Sequence, residues 1–298
     1  MADTNGFRAR IAMKDELWAK MKDELAAQGI ERIDIWEGLT PEDPSGRGFR
    51  AGLYILPTHQ GAPRGMFIIC AGGAFLFKSS NEAKPVAEYF HARGYNAAIL
   101  DYTVNPNAED APSHIPTRIA AGNDALRAIR YVRANAEKLN VRPDRIAIGG
   151  FSAGGMTSQM AATRYDAGDP SSSDPLMRVS SRPDAVLLLY GAFSGTTSVG
   201  GLNFDAKQQN TIAQIDPIRN IRWDCPPMFI FQTNADDPRN ALCFAMELAH
   251  RGISYEVHTF TNGPHGGALY NGLDDTPKFD HTAKWADLAA SWLKEQDF

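Results

Sequence analysis

The chain has 298 residues, of which 43% are hydrophobic and 22% are charged. This composition can build a sizeable buried core and excludes a disordered chain. The 30 basic and 35 acidic residues give a net charge of −5 without long blocks of one sign, so we expect no nucleic-acid partner. The first residues lack the pattern of a secretory signal and no long apolar run follows, which predicts a cytoplasmic protein without a membrane partner.

The first predicted element is a helix over residues 11–28, because apolar and charged residues recur at helical spacing and Gly29 follows as a stop. After a loop rich in proline and glycine, residues 49–56 partly alternate like a half-exposed outer strand that Pro57 ends. Short apolar runs between turn residues then predict buried parallel strands. These runs cover residues 66–70, 97–100 and 145–149.

Amphipathic stretches separate these strands, and the alternation continues to the end of the chain. The predicted helices cover residues 82–93, 117–139, 240–251 and 282–294, and the further strands cover 185–190, 228–232 and 255–260. This order predicts an α/β fold with a mostly parallel central sheet and helices on both faces. No repeat or linker divides the chain, so we expect one domain over residues 1–298, with a helical extension or lid at 1–48 and the core at 49–298.

In such a sheet, ligands bind beyond the carboxyl ends of the strands. The sequence Gly-Phe-Ser-Ala-Gly at residues 150–154 follows one strand and enters a predicted helix. A sharp strand-to-helix turn strains the serine backbone and needs small flanking residues, and it holds the hydroxyl at the positive end of the helix dipole. A Gly-Gly sequence can equally form a plain turn, but the strand before and the helix after favour Ser152 as a nucleophile.

Three other loops after predicted strands offer the remaining chemistry. Residues 70–75, Cys-Ala-Gly-Gly-Ala-Phe, can present backbone N–H groups to a substrate oxygen, although a plain turn is the alternative. Asp236 and Asp237 follow the strand at 228–232, and His265 is the only one of the seven histidines in a glycine-rich setting after a strand. A serine needs an imidazole to take its proton, and the imidazole needs a carboxylate, which either aspartate can supply.

Taken together, the motifs resemble the α/β-hydrolase superfamily, and within it the esterases close to acetyl-xylan esterases and the hormone-sensitive-lipase group. The similarity covers residues 49–293 and rests on six short segments. They are the loop at 71–75, the serine turn at 150–154, Ile-Asp-Pro-Ile at 215–218 ahead of Pro-Pro-Met-Phe at 226–229, Asp-Asp-Pro at 236–238 and Gly-Pro-His-Gly at 263–266. The chain departs from the family at Ala71 and Ala74, and at Arg239-Asn240 where many relatives have Val-Pro.

This resemblance implies a fold and a set of roles. The fold is the α/β-hydrolase fold, the catalytic triad is Ser152, His265 and Asp236, and Asp236 is preferred to Asp237. The oxyanion hole is implied at the backbone N–H groups of Gly73, Ala74 and Ala153. Aromatic side chains near the expected catalytic edge are candidate walls of the substrate pocket, although core packing explains them equally well. They are Phe75, Phe193 and Phe204.

The implied activity is that of a serine carboxylesterase acting on small-molecule short-chain acyl esters, acetyl esters of sugars among them. The protein supplies nucleophile, base and electrostatic stabiliser, so we expect no metal and no organic cofactor. A peptidase of the prolyl-oligopeptidase type is an alternative, but such enzymes usually carry a long N-terminal propeller and here only residues 1–48 precede the core. A non-catalytic ligand-binding protein of the same fold is another, although such proteins commonly lose a member of the triad. The oligomeric state is not readable from the sequence.

Overall fold

The computed structural model describes residues 4–108, 114–193, 198–199, 202–203, 218–273 and 276–298. Its strands are β1 (Arg32–Asp34), β2 (Gly52–Ile55), β3 (Arg64–Cys70), β4 (Asn96–Asp101), β5 (Val141–Phe151), β6 (Ala185–Leu189), β7 (Ser198–Val199), β8 (Leu202–Asn203), β9 (Met228–Thr233) and β10 (Tyr255–Phe260). Its helices are α1 (Thr4–Ala27), α2 (Lys84–His91), α3 (Ile115–Ala134), α4 (Ala153–Arg164), α5 (Arg239–His250) and α6 (Trp285–Glu295).

Eight of the strands form one sheet, in the order β1-β2-β4-β3-β5-β6-β9-β10. The pairs β1–β2 and β2–β4 are antiparallel, and every other neighbouring pair is parallel. Strands β7 and β8 pair separately as a short antiparallel ribbon. The predicted fold class, an α/β fold with a mostly parallel sheet, is confirmed.

Helices cover both faces of this sheet because successive side chains of a strand point to opposite faces. In β3, Met66 and Ile68 pack into a core beneath α3, α4 and α5, while Phe67 and Ile69 pack into a second core beneath α1, α2 and α6. Both faces of the central strands are therefore buried away from solvent, which is why these segments are continuous apolar runs.

The amino-terminal part of the sheet differs from the sequence prediction. Strand β2 is buried between β1 and β4, so the expectation of a half-exposed outer strand at 49–56 is wrong. The outer strand is β1, whose three residues Arg-Ile-Asp carry no alternating apolar pattern. Pairing holds it in place, because Arg32 lies opposite Tyr54 and its Nε donates a hydrogen bond to Asp101 at 3.0 Å.

Parallel strands align their carboxyl ends at one edge of the sheet. The strands β3, β5, β6, β9 and β10 end there, and the loops that follow them meet above that edge. None of the helices in the described ranges has the length and hydropathy of a bilayer-spanning segment. The cytoplasmic location stays a prediction.

Candidate active site

Ser152 occupies the sharp turn between β5 and α4. Its backbone has φ of +51° and ψ of −118°, a conformation that non-glycine residues rarely adopt. The Ser152 N–H donates to the carbonyl of Leu189 at 2.9 Å, and the Ser152 carbonyl accepts from Met156 N–H at 3.0 Å. These two bonds fix the strained serine between β6 and the first turn of α4.

The glycines around Ser152 are required by close backbone approach. A Cβ atom at Gly150 would lie 2.4 Å from the carbonyl oxygen of Cys70, and one at Gly154 would lie 2.1 Å from the same oxygen. A Cβ at Gly72 would lie 2.8 Å from the Ser152 Cβ. The end of β3 and the loop after it therefore press directly against the serine turn.

The structure brings Ser152, His265 and Asp236 together in one hydrogen-bonded chain. His265 Nε2 lies 2.9 Å from Ser152 Oγ, and His265 Nδ1 lies 2.6 Å from Asp236 Oδ2. An ionised carboxylate only accepts hydrogen bonds, so Nδ1 carries the proton and Nε2 is left to accept from the serine hydroxyl. This is the tautomer that a general base needs.

The two adjacent aspartates have different surroundings. Asp236 is 5% exposed and faces His265, whereas Asp237 accepts hydrogen bonds from the Nε of Arg239 at 2.9 Å. The hydrogen bond from Arg239 lowers the pKa of Asp237. Asp237 is thus engaged with its own loop and does not contact the histidine in the structure.

The loop after β3 carries two of the predicted oxyanion donors. Gly73 has φ of +138° and Ala74 has φ of +54°, and the Gly73 carbonyl accepts from Leu76 N–H at 2.9 Å. Within the described residues, no protein group accepts a hydrogen bond from the N–H of Gly73 or Ala74. The third predicted donor, Ala153, is the first residue of α4 and directly follows Ser152. Their role as an oxyanion hole stays a prediction.

The three predicted pocket aromatics are placed as follows. Phe75 is fully buried beside Tyr102, with ring centroids 6.4 Å apart, and Phe193 is fully buried beside Phe244 at 6.1 Å. Phe204 lies outside the described residues. Phe75 and Phe193 are core side chains in the structure, and the role of all three as pocket walls stays a prediction.

Two residues near the histidine were not singled out by the sequence. Glu82 is 2% exposed, and Tyr190 packs edge-to-face against the His265 ring with centroids 5.0 Å apart. Burial raises the pKa of Glu82, and a hydrogen bond from Tyr190 and the charge of His265 act in the opposite direction. Glu82 looked like the first residue of an amphipathic helix, and only the fold brings it to Tyr190.

Helix α1 packs near the segment that follows the loop after β3. A groove of about 210 Å³ separates it from the segment after the oxyanion loop, with Lys14 and Met21 on α1 facing Asn81 and Pro85. The Nδ2 atom of Asn81 donates a hydrogen bond to the carbonyl of Gly266, next to His265, at 3.4 Å. In the described ranges, no three His, Cys, Asp or Glu side chains cluster as metal ligands would.

Similarity to known proteins identifies the superfamily of this chain. The BD-FAE family model matches residues 53–193. The crystal structure of MGS-M1, an α/β-hydrolase enzyme from a deep-sea metagenome library of the Medee basin, is 30% identical to the chain. The superposition covers 90% of this chain and 98% of that one, with a TM-score of 0.63. The chain belongs to the α/β-hydrolase superfamily. The fold and the family expected from the sequence are confirmed.

Two other proteins similar to this α/β hydrolase have names that refer to xylosides or xylan. The acetyl ester-xyloside bifunctional hydrolase of Caldicellulosiruptor lactoaceticus is 29% identical, with a TM-score of 0.75 over 90% of this chain and 97% of that one. Endo-1,4-beta-xylanase B of Butyrivibrio fibrisolvens is 28% identical over 80% of this chain. The chain spans 38% of the length of that curated relative. Esterase 2 of Thermogutta terrifontis, in its propionate-bound structure, is 25% identical, with a TM-score of 0.67 over 90% of this chain and 94% of that one. The predicted class, an enzyme of the carboxylesterase and serine-hydrolase type, is confirmed by this similarity.

Proposed function

We propose that the protein hydrolyses short-chain acyl esters, acetyl esters of sugars among them, through Ser152, His265 and Asp236. The observation that carries the proposal is the continuous chain of contacts from Asp236 Oδ2 through His265 to Ser152 Oγ, at 2.6 and 2.9 Å. A strained serine at a helix N-terminus beside a correctly oriented imidazole is suited to nucleophilic attack.

In the first half of the reaction, His265 Nε2 takes the proton of Ser152 while Oγ attacks the ester carbonyl. The N–H groups of Gly73, Ala74 and Ala153 donate to the oxyanion of the tetrahedral intermediate. Its collapse breaks the bond to the alcohol, which leaves with the proton from His265. Water then attacks the acyl-enzyme with His265 as base, and the carboxylic acid is released.

Two observations support the choice of a short acyl group. Phe193 packs against the first turn of α4, since a Cβ at Gly155 would lie 3.3 Å from its ring, and we propose that it limits the space for the acyl group. The relative with acetyl ester-xyloside activity adds a sugar acetate as substrate class. We also propose that residues 1–298 form one domain, with a helical extension or lid at 1–48 and the catalytic core at 49–298.

The test combines a covalent probe with an ester panel. Wild-type protein is expected to be labelled by a fluorophosphonate and to hydrolyse 4-nitrophenyl acetate and acetylated xylose faster than 4-nitrophenyl octanoate. Ser152→Ala is expected to lose labelling and about 10⁴-fold or more in kcat. Full activity in Ser152→Ala would refute the mechanism, and a clear preference for the octanoyl ester would refute the acyl-length assignment.

A further inference from the structure

Glu82 is a buried carboxylate whose two oxygens are both occupied. Oε2 accepts a hydrogen bond from the N–H of Gly72 at 2.6 Å, and Oε1 accepts from the hydroxyl of Tyr190 at 2.7 Å. A buried carboxylate is tolerated only when such partners replace its hydration. The triad does not use this group, although it lies at the same edge of the sheet.

Tyr190 connects Glu82 to the loop that carries the histidine. Its hydroxyl accepts a hydrogen bond from the N–H of Ala268 at 3.1 Å and donates its own proton to Glu82. Its ring packs against His265, and its backbone has φ of +36°, which is strained for a residue with a side chain. The oxyanion loop, Glu82, Tyr190 and the histidine loop therefore form one hydrogen-bonded path.

Gly72 is the point at which this path reaches the proposed oxyanion donors. It immediately precedes Gly73 and Ala74, and it lies close enough to Ser152 that a Cβ would be 2.8 Å from the serine Cβ. A hydrogen bond that fixes the Gly72 N–H therefore also fixes the direction of the two N–H groups after it. Oxyanion stabilisation depends on such prior alignment, because the donors then need no rearrangement during the reaction.

We propose, on the basis of the function proposed above, that Glu82 is a positioning residue: it ties the oxyanion loop to the histidine loop through Tyr190 and places a second negative charge near His265. The contacts fit an ionised Glu82, in which both oxygens accept hydrogen bonds. Burial raises the pKa of Glu82, and the hydrogen bonds from Tyr190 and Gly72 and the charge of His265 oppose that rise. A negative charge near the imidazole favours the imidazolium that forms when Ser152 loses its proton.

Several other charged or titratable groups lie near Glu82 and His265. Asp236 bonds directly to His265, and Lys14 on α1 acts on Glu82 through its charge. Burial raises the pKa of Tyr190, and likewise that of Tyr102 and Tyr270, so the three phenols stay neutral. Among the described residues, Asp236 thus acts on the imidazole by direct contact and Glu82 acts on it through its charge.

The experiment compares Glu82→Gln and Tyr190→Phe with the wild-type protein. Asp124→Asn is the matched control, because Asp124 is also a buried carboxylate that accepts a backbone N–H, from Thr103 at 2.8 Å, away from the triad. Active sites are counted with the fluorophosphonate, and kcat and KM for 4-nitrophenyl acetate are measured per titrated site from pH 5 to pH 9.

Glu82→Gln is expected to lower kcat per site about 10- to 100-fold, less than the loss of an oxyanion donor itself, with KM changed less than about threefold. The acidic limb of its kcat/KM profile is expected to move to lower pH, because the imidazolium loses a stabilising charge. Tyr190→Phe is expected to lower kcat per site, and Asp124→Asn to leave kcat per site and the limb unchanged.

In one outcome, fewer Glu82→Gln molecules react with the fluorophosphonate, but kcat per active site and the acidic limb of the kcat/KM profile are those of wild type. Glu82 then contributes only to folding, and this result would overturn the proposal. If Glu82→Gln does not fold, Tyr190→Phe decides, and wild-type kcat per site in that variant also overturns it. Failure of the wild-type protein to react with the fluorophosphonate is a different outcome, since it refutes the proposed function itself.

Discussion

Asp236 and Asp237 are neighbours in sequence but face opposite ways, Asp236 toward Nδ1 of His265 at 2.6 Å and Asp237 toward Arg239. A loop after a strand turns its side chains in different directions, so adjacency in sequence gives no shared environment. Asp236, which is buried, contacts an imidazole, and Asp237 contacts a guanidinium. The two carboxylates therefore form a matched pair for mutagenesis.

Asp236→Asn is expected to lower kcat about 10³- to 10⁴-fold, because an amide donates as well as accepts and no longer holds Nδ1 protonated. Asp237→Asn is expected to stay within about threefold of wild type, since it breaks only a partly exposed ion pair. Kinetics with 4-nitrophenyl acetate on both variants checks this. Equal losses in the two proteins, or the larger loss in Asp237→Asn, would contradict the assignment of Asp236.

Gly73→Ala is expected to reduce kcat about 10²- to 10³-fold, the range for loss of one oxyanion donor. The added Cβ would lie 2.0 Å from the carbonyl oxygen of Phe77, so the loop has to move. Gly61→Ala is the control, because Gly61 also has positive φ, +95°, but nothing within 4 Å of the added atom. Comparable kcat losses in the two variants would mean that backbone strain, rather than the position of the loop, is responsible.

The sequence identified the parts of this protein that depend on local pattern. The buried strands β3, β4, β5 and β9 are short apolar runs, and Ser152 and His265 lie in glycine-rich turns directly after strands. These signals act over a few residues, so the sequence contains them in full. The family resemblance added the preference for Asp236, which the residues alone left open.

Features that depend on distant pairing were not predicted. Strand β1 has no apolar pattern, and it forms because its backbone pairs with that of β2. Glu82 and Tyr190 are 108 positions apart, and nothing near either residue indicates that the fold brings them together. Phe75 follows the glycines of the oxyanion loop with a positive φ of +61°, and its burial was not predicted either; its role as a pocket wall stays a prediction.

Asp124 is expected to make stability depend on pH. Burial raises its pKa to about 6, although hydrogen bonds from Thr103 and Trp36 lower it. The folded protein binds the Asp124 proton more tightly than the unfolded chain does. The stabilisation that this proton gives to the fold is therefore complete below about pH 4 and is lost as the pH rises through about 6. Urea unfolding of wild type and Asp124→Asn measures it. The difference in free energy of unfolding is expected to change by on the order of 2 kcal/mol between pH 4.5 and 7.5. A constant difference would contradict the raised pKa.

Arg118 and Arg133 lie on the same helix, α3, and burial lowers the pKa of both, but of the two only Arg133 has a carboxylate partner among the described residues. Arg133 pairs with Asp184 at 2.8 Å and also donates to the carbonyl of Pro143 at 2.9 Å. Arg118 is 2% exposed, no carboxylate pairs with it among the described residues, and its Nε has no hydrogen-bond partner there. Burial accordingly lowers the pKa of Arg118 to about 10.

Arg118→Met is therefore expected to raise the free energy of unfolding by about 1–3 kcal/mol, because it removes a buried guanidinium whose Nε has no hydrogen-bond partner among the described residues, while keeping the apolar volume. Arg133→Met is expected to lower it by a similar amount, since Asp184 then loses its partner. Urea unfolding at pH 7.5 measures both. Destabilisation of the same size in the two variants would mean that the Arg118 guanidinium makes an interaction as strong as the Arg133–Asp184 pair.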